Sequence, residues 1–321
     1  MSFELILPFL KNIEHLILDP TISEIMINGN RKVFIDRDGC LLEMSDIEVI
    51  EERLRFGILN IARVLDNDIN EGRPILDARL PDGSRVGAVI PPASLGGSTL
   101  AIRKFLPISF TTEDLVQRGS LPEIVLGRLL EAIDNRDNII ISGGTTTGKT
   151  TMLNALVKHI PPDERIVVIE DTAEIQLDHR NTVRLEARKA MPGRDAVTIQ
   201  HLIEATLRLR PDRIIVGEVR GATAYDLLQA MNTGHSGTLT TLHANHARLA
   251  LNRLAAMALR ADKNLDHSAI RAETADVIKY VVQIRRFEGK RYVSELVEVE
   301  GYDYRADSFV TRSLYTADSA H

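Results

Sequence analysis

The stretch Gly143-Gly144-Thr145-Thr146-Thr147-Gly148-Lys149-Thr150 fits the phosphate-loop pattern G-x-x-x-x-G-K-[ST]. The apolar run 138–141 before it predicts a buried strand, and residues 151–158 after it carry apolar side chains at helical spacing. Strand, glycine-rich loop and helix follow in the order that a phosphate cradle requires, because inward-pointing loop N–H groups and a helix N-terminus both attract anions. This order favours nucleotide binding over a glycine-rich turn that fits the pattern by chance.

Individual residues of this loop have predictable roles. Lys149 can reach the β- and γ-phosphates, and the hydroxyl of Thr150 can bind Mg²⁺. The nucleotide-binding residues predicted here are those of the loop and the start of its helix: Gly143, Gly144, Thr145, Thr146, Thr147, Gly148, Lys149, Thr150 and Thr151.

The two parts of the chain differ in their pattern of elements. From residue 121 onward helices alternate with aliphatic strands, which predicts an α/β domain with a mostly parallel sheet covered on both faces. The strands are predicted at 138–142, 166–170, 182–185, 213–217 and 238–242, with an antiparallel hairpin at 277–286 and 291–300. Shorter alternating segments before residue 105, with a helix at 46–66, predict a smaller mixed α+β domain. We therefore divide the chain into domains 1–106 and 122–321, joined by a linker at 107–121.

Composition limits the kind of protein and its compartment. The single cysteine, Cys40, excludes an intrachain disulfide and a cysteine-cluster zinc site, and favours a reducing cytoplasm. No stretch approaches the roughly 18 apolar residues that span a bilayer. Residues 1–10 predict a helix that docks on the N-terminal domain, with an amphipathic segment that touches a membrane as the alternative. The net charge of −6 argues against a broad electrostatic grip on nucleic acid.

Three carboxylates occur where the predicted strand 166–170 ends. Glu170, Asp171 and Glu174 could hold a metal's water shell or orient an attacking water, as phosphoryl transfer requires. A solvated turn is the alternative, since acidic residues favour loops.

A further carboxylate, Glu218, follows the predicted strand 213–217, as a Mg²⁺-side acid of a nucleotide-hydrolysing site would. The usual residue there is Asp, so a Glu requires closer or water-mediated geometry. The alternative is an edge residue paired with Arg220.

Histidines stand at both ends of the predicted strand 238–242. For His235 and His243 we expect a hydrogen-bonding sensor of the γ-phosphate or a contact between subunits. His243 and His246 have H-x-x-H spacing, but no cysteine or nearby carboxylate completes a transition-metal site. His246 is expected to be an exposed residue at the start of a helix.

Arginines can stabilise the negative charge that develops during phosphoryl transfer. The candidates are Arg85, Arg103 and Arg220. A surface position with no such role is the alternative for each of them.

Together these motifs resemble the secretion ATPases, the superfamily that drives type II and type IV secretion, conjugation and type IV pilus assembly. The resemblance rests on the loop 143–150, the acidic box 170–174, the strand end 216–220 and the histidine box 234–243. Residues 207–213, Leu-Arg-Leu-Arg-Pro-Asp-Arg, closely resemble the conjugal-transfer and tight-adherence-pilus members. The tetra-cysteine zinc module of many type II secretion and pilus-extension members is missing, which weighs against those branches.

The resemblance implies a RecA-like C-terminal domain behind a smaller N-terminal domain, with ATP and Mg²⁺ bound between the two. It also implies a ring of six chains on the cytoplasmic side of the inner membrane, with secretion or pilus components of that membrane as partners. No sequence-specific binding of nucleic acid is expected.

The resemblance further assigns roles to single residues. It implies that Glu174 activates the attacking water and that Glu218 supports Mg²⁺, because the family itself uses Glu there. Arg85 and Arg103 match N-terminal arginines that approach the phosphates. With Lys149, these residues form the predicted catalytic machinery.

The sequence thus favours an ATPase of a type IV secretion or conjugative transfer apparatus. The ATPase of a type IV or tight-adherence pilus is the alternative within the family. From other classes, a RecA-like DNA motor and a nucleotide-binding scaffold that does not hydrolyse ATP stay open.

Overall fold

The computed structural model describes residues 3–29, 31–37, 39–105, 110–188, 190 and 195–317. The chain divides into two compact units, Met1–Ile108 and Ser109–His321. Of the predicted linker 107–121, residues 107–109 lie outside the described residues, and Thr112–Gln117 form a helix of the second unit. The predicted domain limits stay predictions.

The first unit contains an antiparallel sheet and two α-helices in its described part. The strand order is β3-β2-β1-β6-β5-β4. The strands are β1 Ile22–Ile27, β2 Val33–Arg37, β3 Cys40–Glu43, β4 Ile75–Arg79, β5 Arg85–Val89 and β6 Thr99–Arg103, and the helices are α1 Glu14–Leu18 and α2 Glu51–Val64. This confirms the mixed α+β character predicted from the alternating segments.

Two predicted helices of the first unit have different limits in the structure. The helix predicted at 46–66 begins only at Glu51, because Ile50 is extended (φ −97°, ψ 119°), and Asp66 beyond its end has a φ of 53°. The docking helix predicted at 1–10 is instead a series of short 3-10 turns from residue 3 onward, with residues 1–2 outside the described residues. Pro8 lacks the N–H that a continuous helix needs, while Ile6 still packs into the core of this unit.

The second unit is built on a mostly parallel sheet, as predicted. Its order is β14-β13-β12-β7-β11-β10-β8-β9, in which the pairs β12–β13 and β13–β14 are antiparallel and the other described pairs are parallel. The described strands are β7 Ile139–Gly143, β8 Ile166–Glu170, β9 Thr182–Glu186, β10 Arg213–Val216, β11 Leu239–Leu242, β12 Tyr280–Phe287, β13 Lys290–Asp303 and β14 Ser308–Thr316.

Helices cover both faces of this sheet, which confirms an α/β unit. Because successive strand residues point to opposite faces, Ile139 and Ile141 pack with the helices between residues 112 and 157, whereas Ile140 packs with the helices between residues 199 and 277. The helices are α3 Thr112–Gln117, α4 Glu123–Asp134, α5 Lys149–Val157, α6 Ile199–Thr206, α7 Thr223–Asn232, α8 Ala247–Ala258 and α9 His267–Val277. None of the helices in the described ranges is long and apolar enough to cross a membrane.

Candidate nucleotide site

The predicted chemical groups of the second unit follow strands of the parallel set. The phosphate loop follows β7, the acidic box follows β8, Glu218 lies two residues beyond β10, and His243 comes directly after β11. Parallel strands bring their carboxyl ends to one edge of the sheet, where ligands of open α/β sheets bind. The fold therefore gathers these groups at a single edge.

The phosphate loop has a backbone that requires glycine at two places. Gly148 precedes α5 with a φ of 95°, a conformation that costs other residues about 1–2 kcal/mol. A Cβ at Gly143 would lie 2.5 Å from Thr147 Oγ1 and 2.7 Å from the carbonyl oxygen of Ile284. These positions explain the glycines of the motif by backbone conformation and close approach.

Lys149 lies inside the loop, with only 8% of its surface exposed. Its Nζ donates to the carbonyl oxygens of Gly143 at 3.2 Å and Gly144 at 2.7 Å, and to Nδ1 of His243 at 3.4 Å. Burial lowers the pKa of Lys149, and the negative charge of Glu218 opposes that fall. Two carbonyl groups of the loop and the ring of His243 thus fix the position of the amine.

Glu218 is held by a fork of two hydrogen bonds. Arg220 donates from Nε and Nη2, each at 2.8 Å, and His243 Nε2 lies 3.3 Å from Oε1 of Glu218. Burial by itself would raise the pKa of Glu218, but the hydrogen bonds and charge of Arg220, with His243 and Lys149, outweigh it and lower the pKa. The carboxylate is therefore ionised, as a magnesium-side acid must be. The ion pair between Glu218 and Arg220, which the sequence offered as the alternative to a magnesium role, is also present.

His243 links the lysine to this carboxylate. Burial, followed by the charge of Lys149, lowers the pKa of His243, so its imidazole is neutral near pH 7. Accepting from Lys149 through Nδ1 leaves the ring N–H on Nε2, the nitrogen that faces Glu218.

The donor set suits Mg²⁺ rather than a transition metal. Thr150, the second residue of α5, and Glu218 would hold the cation through oxygen atoms, its preferred ligands. No group of three or more His, Cys, Asp or Glu residues that could bind a metal occurs in the part of the chain that the structure describes. Mg²⁺ commonly takes one or two protein ligands and completes its shell with phosphates and water.

The acidic box divides into two different environments. The carboxylate of Glu170 is 3% exposed and accepts hydrogen bonds from the N–H groups of Glu174 and Ile175, each at 2.7 Å. Burial raises the pKa of Glu170 despite these bonds. Glu174 is half-buried, and its negative charge acts on the Lys149 amine. Glu174 thus adds negative charge near the loop lysine, while Glu170 binds the backbone N–H groups of residues 174 and 175.

Two contacts with the phosphate loop were missed by reasoning from the sequence. On the β12–β13 hairpin, Arg291 donates from Nε to the carbonyl oxygen of Thr146 at 3.1 Å, and Arg286 donates from Nη1 to Thr146 Oγ1 at 3.5 Å. Thr146 has a φ of 61°, so the hairpin holds the loop at its strained residue. The cluster of basic residues around the hairpin tip is the sequence feature that could have indicated these contacts.

The structure does not bring His235 to the phosphate loop of its own chain. His235 lies before β11, at the amino edge of the sheet, and its Nδ1 is 3.2 Å from the carbonyl oxygen of Ala230. The length of β11 separates His235 from His243. Within one chain, the expectation of a γ-phosphate sensor therefore applies to His243 and not to His235. The other expectation for His235, a contact between subunits, stays a prediction. His246 precedes α8 and is exposed, as expected.

The two candidate arginines of the first unit are neighbours. Arg85 begins β5 and Arg103 ends β6, and they face each other in the strand register. Arg103 is exposed and lies 3.4 Å from Glu24. Their predicted approach to the phosphates stays a prediction.

Comparisons with known proteins identify relatives over most of the chain. A family model described as "Type II/IV secretion system protein" matches residues 10–286. The chain is 37% identical over 294 residues to the conjugal transfer protein TrbB of Rhizobium radiobacter, covering 88% of this chain and 85% of that protein. It is 36% identical over 304 residues to the type IV secretion system protein PtlH of Bordetella pertussis, covering 87% and 89%.

Solved structures resemble the chain as well. The VirB11 ATPase of the Brucella suis type IV secretion system, in complex with sulphate, has a TM-score of 0.50 at 30% identity and covers 92% of this chain and 94% of that one. The pilus retraction motor PilT with bound ADP has a TM-score of 0.60 at 19% identity, covering 88% and 80%, a likeness of fold alone.

Proposed function

Because the chain belongs to the family of type II/IV secretion system proteins, we propose that it is an ATPase that drives a type IV secretion or conjugative transfer apparatus. The relatives TrbB and PtlH carry names from conjugal transfer and type IV secretion. The structural neighbour at 30% identity is itself an ATPase of a type IV secretion system.

The observation that carries the proposal is the chain of contacts at the phosphate loop. Lys149, His243 and Glu218 follow one another at 3.4 and 3.3 Å, on residues placed by three different strands. Phosphoryl transfer depends on positioning and on stabilising charge, which such an arrangement supplies. In our scheme Lys149 binds the β- and γ-phosphates, Thr150 and Glu218 hold Mg²⁺, and Glu174 activates the attacking water.

At the level of the assembly, we propose a RecA-like second domain in a ring of six chains at the cytoplasmic face of the inner membrane. ATP would bind between the two domains of one chain, with Arg85 and Arg103 approaching its phosphates. Hydrolysis would then open and close the N-terminal domains around the ring. Partners would be inner-membrane components of the secretion apparatus.

Phosphate release by the full chain with ATP and Mg²⁺ tests the activity. Lys149→Ala should lower turnover by about 100-fold or more, because a buried charge that stabilises the transferred phosphoryl group is lost. Lys158→Ala is the matched control, since Lys158 lies just beyond the same helix and contacts the carbonyl oxygen of Phe110. Equal turnover in wild type and Lys149→Ala would contradict the proposed site.

The same assay separates the alternatives. Hydrolysis that rises many-fold on addition of DNA would favour a DNA motor, and nucleotide binding without any phosphate release would favour a scaffold. Identifying the proteins that co-purify with the chain from its own cells distinguishes a secretion apparatus from a pilus.

A further inference from the structure

The backbone around Glu174 is held by side chains rather than by secondary structure. Residues 173–179 form neither helix nor strand, so their N–H and C=O groups have no ladder partners. Buried backbone groups nevertheless require hydrogen bonds. At residues 174–176 these bonds come from three side chains on three different elements.

Glu170, at the end of β8, supplies the first set. It accepts from the N–H groups of Glu174 and Ile175, each at 2.7 Å. Arg184 of β9 donates to the carbonyl oxygen of Ile175 at 2.8 Å and lies 3.7 Å from Glu170. These contacts fix the turn after β8 to the sheet.

Asn154 supplies the second set from the helix that begins at Lys149. Its Oδ1 accepts from the N–H of Gln176 at 3.0 Å, and its Nδ2 donates to the carbonyl oxygen of Glu174 at 3.3 Å. Asn154 is 9% exposed and lies between the core residues Leu153 and Ala155. A polar side chain in such surroundings is costly unless it is hydrogen-bonded, and an amide offers its donor and its acceptor on two separate atoms, so that it bonds both backbone groups at once.

We propose that Asn154 is a positioning residue for ATP hydrolysis, which ties the backbone of Glu174 to the phosphate-loop helix. The inference rests on the proposed function, in which Glu174 activates the attacking water. Lys149 and Asn154 belong to one helix of nine residues, so the amine that meets the phosphates and the carboxylate that faces the water share one rigid support. A displacement of about 1 Å at a reacting group can cost about 100-fold in rate, so this support controls turnover rather than binding.

Steady-state kinetics of the full chain test this role. Asn154→Leu removes both hydrogen bonds, and Asn154→Asp keeps the acceptor for Gln176 but loses the donor to Glu174. Each should lower kcat by about 10- to 100-fold while KM for ATP changes by less than about twofold. Met152→Leu is the matched control, a volume-conserving change in the core on the same helix, and should keep wild-type kcat. Asn154→Asp decides the test if Asn154→Leu does not fold.

A double-mutant cycle separates positioning from a general loss of structure. If Asn154 acts through Glu174, Asn154→Leu should change the residual single-turnover rate of Glu174→Gln by less than about twofold. If Asn154→Leu lowers the rate by the same factor in wild type and in Glu174→Gln, the inference is wrong while the proposed function stands. The same holds if both Asn154 variants keep the wild-type kcat. If the wild-type chain does not hydrolyse ATP, both the proposed function and this inference are wrong.

Discussion

Two carboxylates four positions apart, Glu170 and Glu174, show how burial decides the role of a residue. Both follow the same predicted strand, and their residue type gives no basis for choosing between them. In the structure Oε1 of the buried Glu170 accepts hydrogen bonds from two backbone N–H groups, whereas Glu174 is only half-buried. A general base must be within reach of the water whose proton it takes, which favours Glu174.

Substitution of each carboxylate by its amide tests this assignment. Glu174→Gln should bind ATP but show no steady-state release of phosphate, with only a slow residual rate in single turnover, because the amide cannot accept a proton. Glu170→Gln keeps an acceptor oxygen for both N–H groups, so turnover should stay within about 10-fold of wild type. Phosphate release and binding of a fluorescent ATP analogue measure the two effects. An inactive Glu170→Gln beside an active Glu174→Gln would reverse the roles.

The pH dependence of turnover should report the titration of His243. Burial and the charge of Lys149 hold the pKa of His243 below the ordinary 6.5, so the imidazole is mostly neutral at every pH above that lowered pKa. Below it, protonation places a second positive charge 3.4 Å from the lysine amine and removes its acceptor. Glu218, whose pKa is lowered from 4.5, stays charged throughout this range.

We therefore expect turnover to be flat above pH 6.5 and to fall below it. His243→Gln cannot titrate and should lose this acid limb at lower overall activity. An acid limb with its midpoint above pH 6.5, or one that persists in His243→Gln, would contradict the assignment.

At the scale of secondary-structure elements, the amino edge of the parallel sheet is fastened by a buried ion pair. Arg213, at the start of β10, is 0% exposed and bonds Glu164 through Nε at 2.5 Å and the carbonyl oxygen of Ile133 at 2.7 Å. Arg136 bonds the same glutamate at 3.2 Å from an exposed position. One carboxylate thus joins a buried and an exposed arginine.

This pair of arginines allows a matched comparison of stability. Arg213→Ala leaves the buried Glu164 without its main partner and should lower the free energy of unfolding by about 3–5 kcal/mol. Arg136→Asn should cost less than about 1 kcal/mol, because exposed pairs contribute little. Asn is chosen because Arg136 has a φ of 59°, which Asn tolerates. Urea unfolding measures both, and equal losses would contradict a buried pair at this edge.

The accuracy of the sequence predictions followed the strength of the local signal. The buried strand β8 was predicted with its observed limits, because an unbroken aliphatic run between polar residues fits little else. β14, Ser308–Thr316, was missed, since most of its side chains are polar or exposed at the sheet edge and no apolar period marks it. The carboxyl-edge groups were found because each follows an apolar strand.

The contacts that sequence reasoning missed join residues far apart in the chain. Asn154 and Gln176, like Arg291 and Thr146, are distant in the sequence and become neighbours only in the folded structure. No local pattern records such pairs. His235 and His243 lie at opposite ends of β11, as the predicted strand between them already indicated, and only His243 contacts Lys149.

At the scale of the whole molecule, our account requires the first unit to act on the nucleotide through Arg103. Arg103→Ala should lower turnover by about 10-fold or more, since an arginine that meets the phosphates contributes to the rate. Its melting temperature should stay near wild type, because the exposed ion pair with Glu24 is worth less than about 1 kcal/mol.

Glu24→Gln is the control, as it breaks the same ion pair and leaves the arginine in place. It should keep wild-type turnover. Equal turnover in Arg103→Ala and wild type would remove the first unit from the chemistry.

The proposed ring makes a separate prediction about mass. With ATP and Mg²⁺, light scattering of Glu174→Gln should give the mass of six copies of the 35.7-kDa chain, because trapped nucleotide stabilises the state that binds it. A monomer under these conditions would contradict the ring.

A structure of the chain with Mg²⁺ and a non-hydrolysable ATP analogue tests the central claim most directly. We expect the β- and γ-phosphates on the loop 143–150, with Lys149 bonded to them, Glu218 on the shell of Mg²⁺ and Glu174 facing the γ-phosphate. A triphosphate bound elsewhere, or a Glu174 carboxylate turned away from it, would contradict the account.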